Sequence, residues 1–262
     1  YYKYMFARVT PNKTLAWSKS VGGTNGYHDY PGNYNSVCQT SDGGVVIGGR
    51  SLSGFVGSTG YNKFYAVKMD QNGNIVWTRA VGASGSTDEY GTGGIAATPD
   101  GGVAMGGYST TSGWTSNSGY YDFVVVKLNQ DGSHGWTRYA GRSGSTYDYV
   151  HSIAAAPDGS IIAVGYASSG PIGSDDWYMI KFNSSGTVQW NRVYGGSNYD
   201  YPYAVVTDAN GNIYVSGRVN GIGAGGYDAC LLKLDPNGNV QWNKIVGGGS
   251  DDYFFSLAID AS

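Results

Sequence analysis

Five times along this chain an acid is followed directly by a tyrosine: Asp29-Tyr30, Glu89-Tyr90, Asp148-Tyr149, Asp200-Tyr201 and Asp252-Tyr253. A carboxylate accepts hydrogen bonds, while a phenol both donates one and offers an apolar ring face. Five such pairs gathered around one axis would suit a cation or a polyhydroxylated ligand. The same pairs also admit a purely local role, with the acid accepting backbone N–H groups in a turn and the tyrosine packing between neighbouring units. Both readings stand at this level.

A second group of candidates breaks the regularity. The segment "GGTNGYHDYPGNYN" places Tyr27, His28 and Tyr30 in an enlarged connection, and "SLSGFVGSTGYN" and "STTSGWTSNSGYY" set Phe55 and Trp114 among small polar residues. Aromatic faces beside hydroxyls and carboxylates fit sugar rings, which have an apolar face and a polar edge. The expected ligand-binding set is therefore Tyr27, His28, Tyr30, Phe55, Glu89, Tyr90, Trp114, Asp148, Tyr149, Asp200, Tyr201, Asp252 and Tyr253.

Catalytic signatures are sparse. Paired-carboxylate glycoside chemistry needs an acid of raised pKa beside a second carboxylate, yet Glu89 is the only glutamate and the aspartates look like repeat features. His28, His134 and His151 share no metal-ligand spacing, and no serine or cysteine nucleophile motif occurs. Turns of the form D-x-N-G-N resemble the opening of a calcium loop but lack its closing acid. The residues thus predict no enzyme, no cofactor and no metal site.

What positions these residues is a repeat. Trp17, Trp77, Trp136, Trp190 and Trp242 recur at intervals between 50 and 60 residues, a period that signals a repeat architecture. Each unit contains an inner pair of apolar runs around an Asp-Gly or Asn-Gly turn, as in "GIAATPDGGVAMGG", and an outer pair such as "FVVVKLNQDGSHGWTR". These are hairpin signals, so each unit reads as four antiparallel strands. Composition agrees: 44 of 262 residues are glycine, and leucine and glutamate, good helix formers, are scarce. The fold class is all-β, a β-propeller of four-stranded antiparallel blades.

The combination G-S-x-x-D-Y-x-x-S-I-A, P-D-G-G-V-x-x-G-G-Y and D-x-x-V-V-K-L-N-x-D-G-x-x-x-W-T-R resembles the repeat of bacterial secreted and cell-surface β-propellers, often called seven-bladed β-propeller repeats. The resemblance covers essentially the whole chain and implies an extracellular or surface location. With it the chain reads as a non-catalytic propeller that binds glycan or a surface protein through its variable loops, or as a structural module of a larger assembly.

A single domain over 1–262 is expected, with repeats at 36–82, 94–141, 152–195 and 204–247. Residues 1–22 match an outer hairpin and 256–262 an inner strand, so joining the two ends gives a five-bladed ring; a fragment of a six- to eight-bladed propeller is the alternative. The net charge of −3 gives no reason to expect nucleic acid, and no run of 18 apolar residues spans a membrane. Cys38 and Cys230 read as buried thiols. The recurrent Arg8, Lys68, Lys127, Lys181 and Lys233 are expected to pair with acids such as Asp122, Asp176 and Asp228 five residues earlier or with acids on a neighbouring blade, and the basic residues two after each tryptophan to protect sheet edges.

Overall fold

The computed structural model describes residues 4–21, 29–31, 36–52, 61–82, 88–91, 93–110, 120–141, 146–168 and 172–260. Among the described residues all regular structure is antiparallel sheet, and no helix is long and apolar enough to cross a membrane. Strands β1 (Tyr4–Val9) and β2 (Leu15–Val21) form a hairpin by themselves. Four blades follow. The first holds β3 (Asp29–Pro31), β4 (Val37–Gln39), β5 (Val45–Ser51), β6 (Lys63–Met69) and β7 (Ile75–Val81); the second holds β8 (Glu89–Tyr90), β9 (Ile95–Ala97), β10 (Val103–Ser109), β11 (Asp122–Leu128) and β12 (His134–Ala140). In both, the innermost strand is broken into two short pieces that pair with the same neighbour.

The third blade, β13 (Asp148–Ala155), β14 (Ile161–Ser168), β15 (Asp175–Phe182) and β16 (Val188–Tyr194), is an uninterrupted meander. So is the fourth, β17 (Tyr201–Thr207), β18 (Ile213–Asn220), β19 (Tyr227–Leu234) and β20 (Val240–Val246). The expected four-strand unit is thus observed. The ring closure is not: β1 pairs with β2 alone, and residues 251–260 form no strand.

Blades bury their faces against each other, and apolar clusters sit at successive boundaries. One joins Tyr65, Val67 and Met69 to Trp17 and Phe6 of the N-terminal hairpin, and the next joins Val46, Phe64 and Ala66 to Val103, Val124 and Val126. The third strands are buried on both sides, as β6 and β11 show along their whole length. Burial of this kind, about 25 cal/mol per Å² of apolar surface, is the main stabilising term.

Four of the five repeat tryptophans lock those boundaries. Each indole N–H donates to a carbonyl in the outer turn of the following blade: Trp17 to Gln71 at 3.0 Å, Trp77 to Gln130 at 3.1 Å, Trp136 to Ser184 at 2.9 Å and Trp190 to Pro236 at 3.1 Å. The ring then lies on a glycine of that turn, Gly73, Gly132, Gly186 or Gly238, each with φ between 78° and 80°. A Cβ at any of them would sit 2.7 to 2.9 Å from the indole, so both the positive φ and the close approach demand glycine.

Two residues on, Arg79, Arg138 and Arg192 donate through Nε to the carbonyls of Gly132, Gly186 and Gly238 at 2.7 to 3.0 Å. These cations therefore clamp the next blade, a role the edge-protection expectation missed. The buried Lys68, Lys127 and Lys181 likewise depart from expectation. They pair with Asp42, Asp100 and Asp158 of the inner turns, not with Asp122 or Asp176. Where the fourth inner turn carries Asn210, Lys233 lies over the Tyr214 ring at 5.0 Å instead.

The turn acids explain the calcium-like sequences. Asp70 Oδ1 accepts the backbone N–H groups of Asn72 and Asn74 at 2.8 Å, and Asp235 serves its own turn in the same way. Cys38 and Cys230 are free thiols, and burial pushes them up to about 12 and about 11.

Gly132→Ala should destabilise the chain by about 2 kcal/mol, because an alanine pays for the left-handed backbone and meets the Trp77 ring. Denaturant unfolding measures it; a loss below about 0.5 kcal/mol would show that the turn relaxes.

Candidate functional site

The repeated acid-tyrosine pairs open the innermost strands, so they gather at the end where one blade connects to the next. There the two halves of each pair separate. The carboxyls of Glu89, Asp148 and Asp200 are enclosed, with relative exposures of 1%, 0% and 0%. Asp200 accepts the backbone N–H groups of Gly196 and Asn220, each at 2.7 Å, and Asp252 accepts that of Gly248 at 2.9 Å. Glu89 accepts the Tyr139 hydroxyl at 3.0 Å. The acids brace connections inside the blades, which is the local reading of the pair, and the buried three do not line an open site.

Each braced acid also has a charged neighbour at the start of a third strand. Asp122 and Asp148 lie against Gly141, Asp176 and Asp200 against Gly195, and Asp228 and Asp252 against Gly247. Like charges held together out of water favour the neutral form. Burial pushes Asp122 up to about 6, and burial followed by the nearby Asp176 and Asp175 pushes Asp200 to about 6 despite its backbone donors. At the first boundary Lys63 replaces the second acid and lies with Glu89 against Gly82.

The tyrosines remain at the surface and join a larger structure. Arg50, Tyr108, Tyr166 and Arg218 occupy equivalent places near the ends of the second strands, and each fits between successive inner-strand tyrosines. The guanidinium of Arg50 lies 4.7 Å from the ring of Tyr30 and 4.8 Å from that of Tyr90. Tyr90 stacks on Tyr108 at 4.7 Å, and Tyr108 meets Tyr149 edge-on at 4.6 Å. Tyr149 reaches Tyr166 at 5.0 Å, and Tyr166 reaches Tyr201 at 4.8 Å. Arg218 then lies 4.6 Å from Tyr201 and 5.0 Å from Tyr253.

The result is a continuous belt of half-buried rings running from Tyr30 to Tyr253, with a guanidinium near each end. Burial raises the phenols of Tyr90, Tyr108, Tyr149, Tyr166 and Tyr201, that of Tyr108 to about 12, so these remain protonated donors near neutral pH. Tyr201 donates to Asp175 at 2.6 Å and Tyr253 to Asp251 at 3.0 Å, which places two more accessible carboxylates beside the Arg218 end. Outside the belt, exposed Tyr120 and Tyr147 stack at 5.3 Å and continue through Tyr121 to Tyr108 and Tyr149.

A second row lies beyond the belt. His151, Tyr203 and Phe255 each follow a belt tyrosine by two residues, with His151 5.9 Å from Tyr203 and Tyr203 5.0 Å from Phe255. His151 Nδ1 donates to the Pro202 carbonyl at 2.8 Å, and burial lowers its pKa, so it is the neutral Nδ1–H tautomer.

Of the expected ligand residues, Tyr30, Tyr90, Tyr149, Tyr201 and Tyr253 are brought together, whereas Glu89, Asp148 and Asp200 are withdrawn and Asp252 is half-buried. Tyr27, His28, Phe55 and Trp114 lie outside the described residues. Sequence reading missed Arg50, Tyr108, Tyr166 and Arg218. A signal for them existed in the residue that follows the repeated glycine, as in "GGR", "GGY", "VGY" and "SGR".

Successive four-stranded antiparallel sheets joined by repeated clamps define a chain of the β-propeller type. Two segments, residues 98–133 and 156–188, match the family described as "Domain of unknown function (DUF5122) beta-propeller", which supports a β-propeller repeat family. No curated protein matches the sequence. Among solved structures, a protein of unknown function from Dyadobacter fermentans DSM 18053 is similar over 86% of this chain and 71% of its own, with 12% identity and a TM-score of 0.50.

XC5397, a gluconolactonase from Xanthomonas campestris, is similar over 86% of this chain and 81% of its own, at 13% identity and a TM-score of 0.40. Regucalcin, a calcium-binding protein from Agrobacterium tumefaciens str. C58, is similar over 72% of this chain and 54% of its own, at 14% identity and a TM-score of 0.35. An enzyme stands among these neighbours, and that corrects the expectation of a non-catalytic chain that only binds through variable loops. The absence of a familiar catalytic motif does not make such a scaffold inert, and similarity this distant concerns the fold alone.

The raised carboxyls carry a sign. A carboxyl whose pKa is higher folded than unfolded costs stability as pH rises from about 4 through about 6. Asp122→Asn removes that cost, so it should gain about 1 kcal/mol relative to the parent at pH 7 and nothing at pH 4. Unfolding curves at both pH values check this; an equal effect at both would show that the carboxyl is not protonated on folding.

Proposed function

We propose that the belt is a small-molecule site and that it takes a polyhydroxylated ring compound. The observation that carries this reading is the belt from Tyr30 to Tyr253, in which rings follow one another from Tyr90 to Tyr201 and a guanidinium joins the last ring at each end. A core has no need of so many polar tips held at one surface, whereas a ring with an apolar face and hydroxyl edges meets all of them.

Tyr149 and Tyr201 supply stacking faces. Arg218 donates to ring or hydroxyl oxygens, and Asp175 and Asp251 accept from hydroxyls. His151 places a neutral imidazole in the adjoining row. The binding of a sugar-class ligand and any chemistry on it belong to the same site, so both are read from one sample.

Titration with a panel of monosaccharides, sugar acids and sugar lactones, followed by ligand-observed NMR and by mass spectrometry of the mixture, tests the proposal. Tyr201→Ala and Arg218→Gln should each weaken a bound member about tenfold, equivalent to about 1.4 kcal/mol. Binding that neither substitution changes would place the site elsewhere, and no binding across the panel would remove this ligand class.

A further inference from the structure

The four occupied clamps describe what a fifth needs, and the fourth blade presents a fifth. Trp77, Trp136 and Trp190 are 7%, 8% and 9% exposed, whereas Trp242, at the same place on β20, is 37% exposed. Its indole N–H has no hydrogen-bond partner among the described residues. Tyr214 meets the ring edge-on with centroids 6.2 Å apart, and Val240 and Val246 of the same strand are also exposed.

The connection after β20 is already laid out for a neighbour. The Asp252 N–H donates to the Tyr227 carbonyl at 2.7 Å, as Asp200 does to Asp175, Asp148 to Tyr121 and Glu89 to Asn62 at the earlier boundaries. Residues 251–255 thus lie where the chain passes from one blade to the next. The open face of β20 continues an interface that the molecule builds four times.

The N-terminal hairpin is the partner that would close a five-bladed ring, and its turn is the wrong shape. Where the other outer turns carry glycine, this one carries Lys13 with φ of 61°. A Cβ at the equivalent glycines comes within 2.7 to 2.9 Å of the stacked indole, closer than packed carbon atoms allow.

We infer that the face centred on Trp242 is a docking surface for a further blade of this repeat type, one whose outer turn offers a backbone carbonyl and a left-handed glycine, and that the chain's own β1–β2 hairpin is not that partner. A second copy is not the partner either. Gly73, Gly132, Gly186 and Gly238 of each copy already carry an indole, and the one turn without an indole carries Lys13.

Acrylamide quenching of Trp242, taken as the difference between the protein and its Trp242→Phe variant, tests this. In the unaltered protein Trp242 should be quenched several-fold more readily than Trp77, Trp136 and Trp190, each read by the same difference from its own Phe variant, independently of protein concentration. Protection at low concentration would mean that the own hairpin docks, protection only at high concentration that a second copy docks, and either overturns the inference. A chain extended after Gly248 by a second copy of residues 197–248 should protect Trp242 to the level of the others. The same extension carrying Gly238→Lys in the appended copy should not; equal protection by both would overturn the glycine requirement.

Discussion

The architecture depends on one contact: an indole laid on a left-handed glycine of the next blade, its N–H donated to a carbonyl of the same turn. Blade sheets are amphipathic on both faces and cannot bury themselves alone. Apolar burial supplies most of the stabilisation but has no direction, so it does not by itself set how one blade sits on another. The tryptophan clamp does. It couples a hydrogen bond of defined direction to a contact that only glycine permits, and an arginine two residues on completes it with a second carbonyl.

That clamp acts at the periphery, and its consequence appears at the centre. Every boundary is set alike, and one side chain from the second strand fills each gap between successive inner-strand tyrosines. Tyrosine fills two of the gaps and arginine two, which turns a structural repeat into a chemically graded surface. The middle is aromatic, and the two ends carry positive charge. The buried acids hold the connections that deliver the tyrosines, so the residues that looked like ligands in the sequence turn out to be supports for them.

Buried acids in pairs are an uncomfortable way to brace a loop, since two carboxylates out of water repel each other. The structure offers two solutions. Three boundaries keep two acids, and at two of them burial raises one carboxyl, Asp122 or Asp200, whereas the first boundary substitutes Lys63 opposite Glu89. The blade boundaries therefore differ in their response to pH although their backbones match.

Strand content, the hairpin turns, the four-strand unit and the tyrosine positions were all legible in the sequence, because they rest on local chemistry. Asp-Gly turns, alternating apolar residues and a recurring Trp each act within a few residues of themselves. The partners of the cations were not legible. Lys68 reaches Asp42 and Arg79 reaches Gly132, and no rule of spacing connects them, since the distance is crossed only when strands pair and blades pack. The belt lay beyond reach for the same reason. "GGY" and "SGR" show that a residue follows a glycine, but that Tyr108 and Arg218 fill the gaps between tyrosines of neighbouring blades depends on inter-blade register. Only the tertiary structure decided which half of each acid-tyrosine pair faces outward, because burial belongs to the packed neighbour and not to the residue.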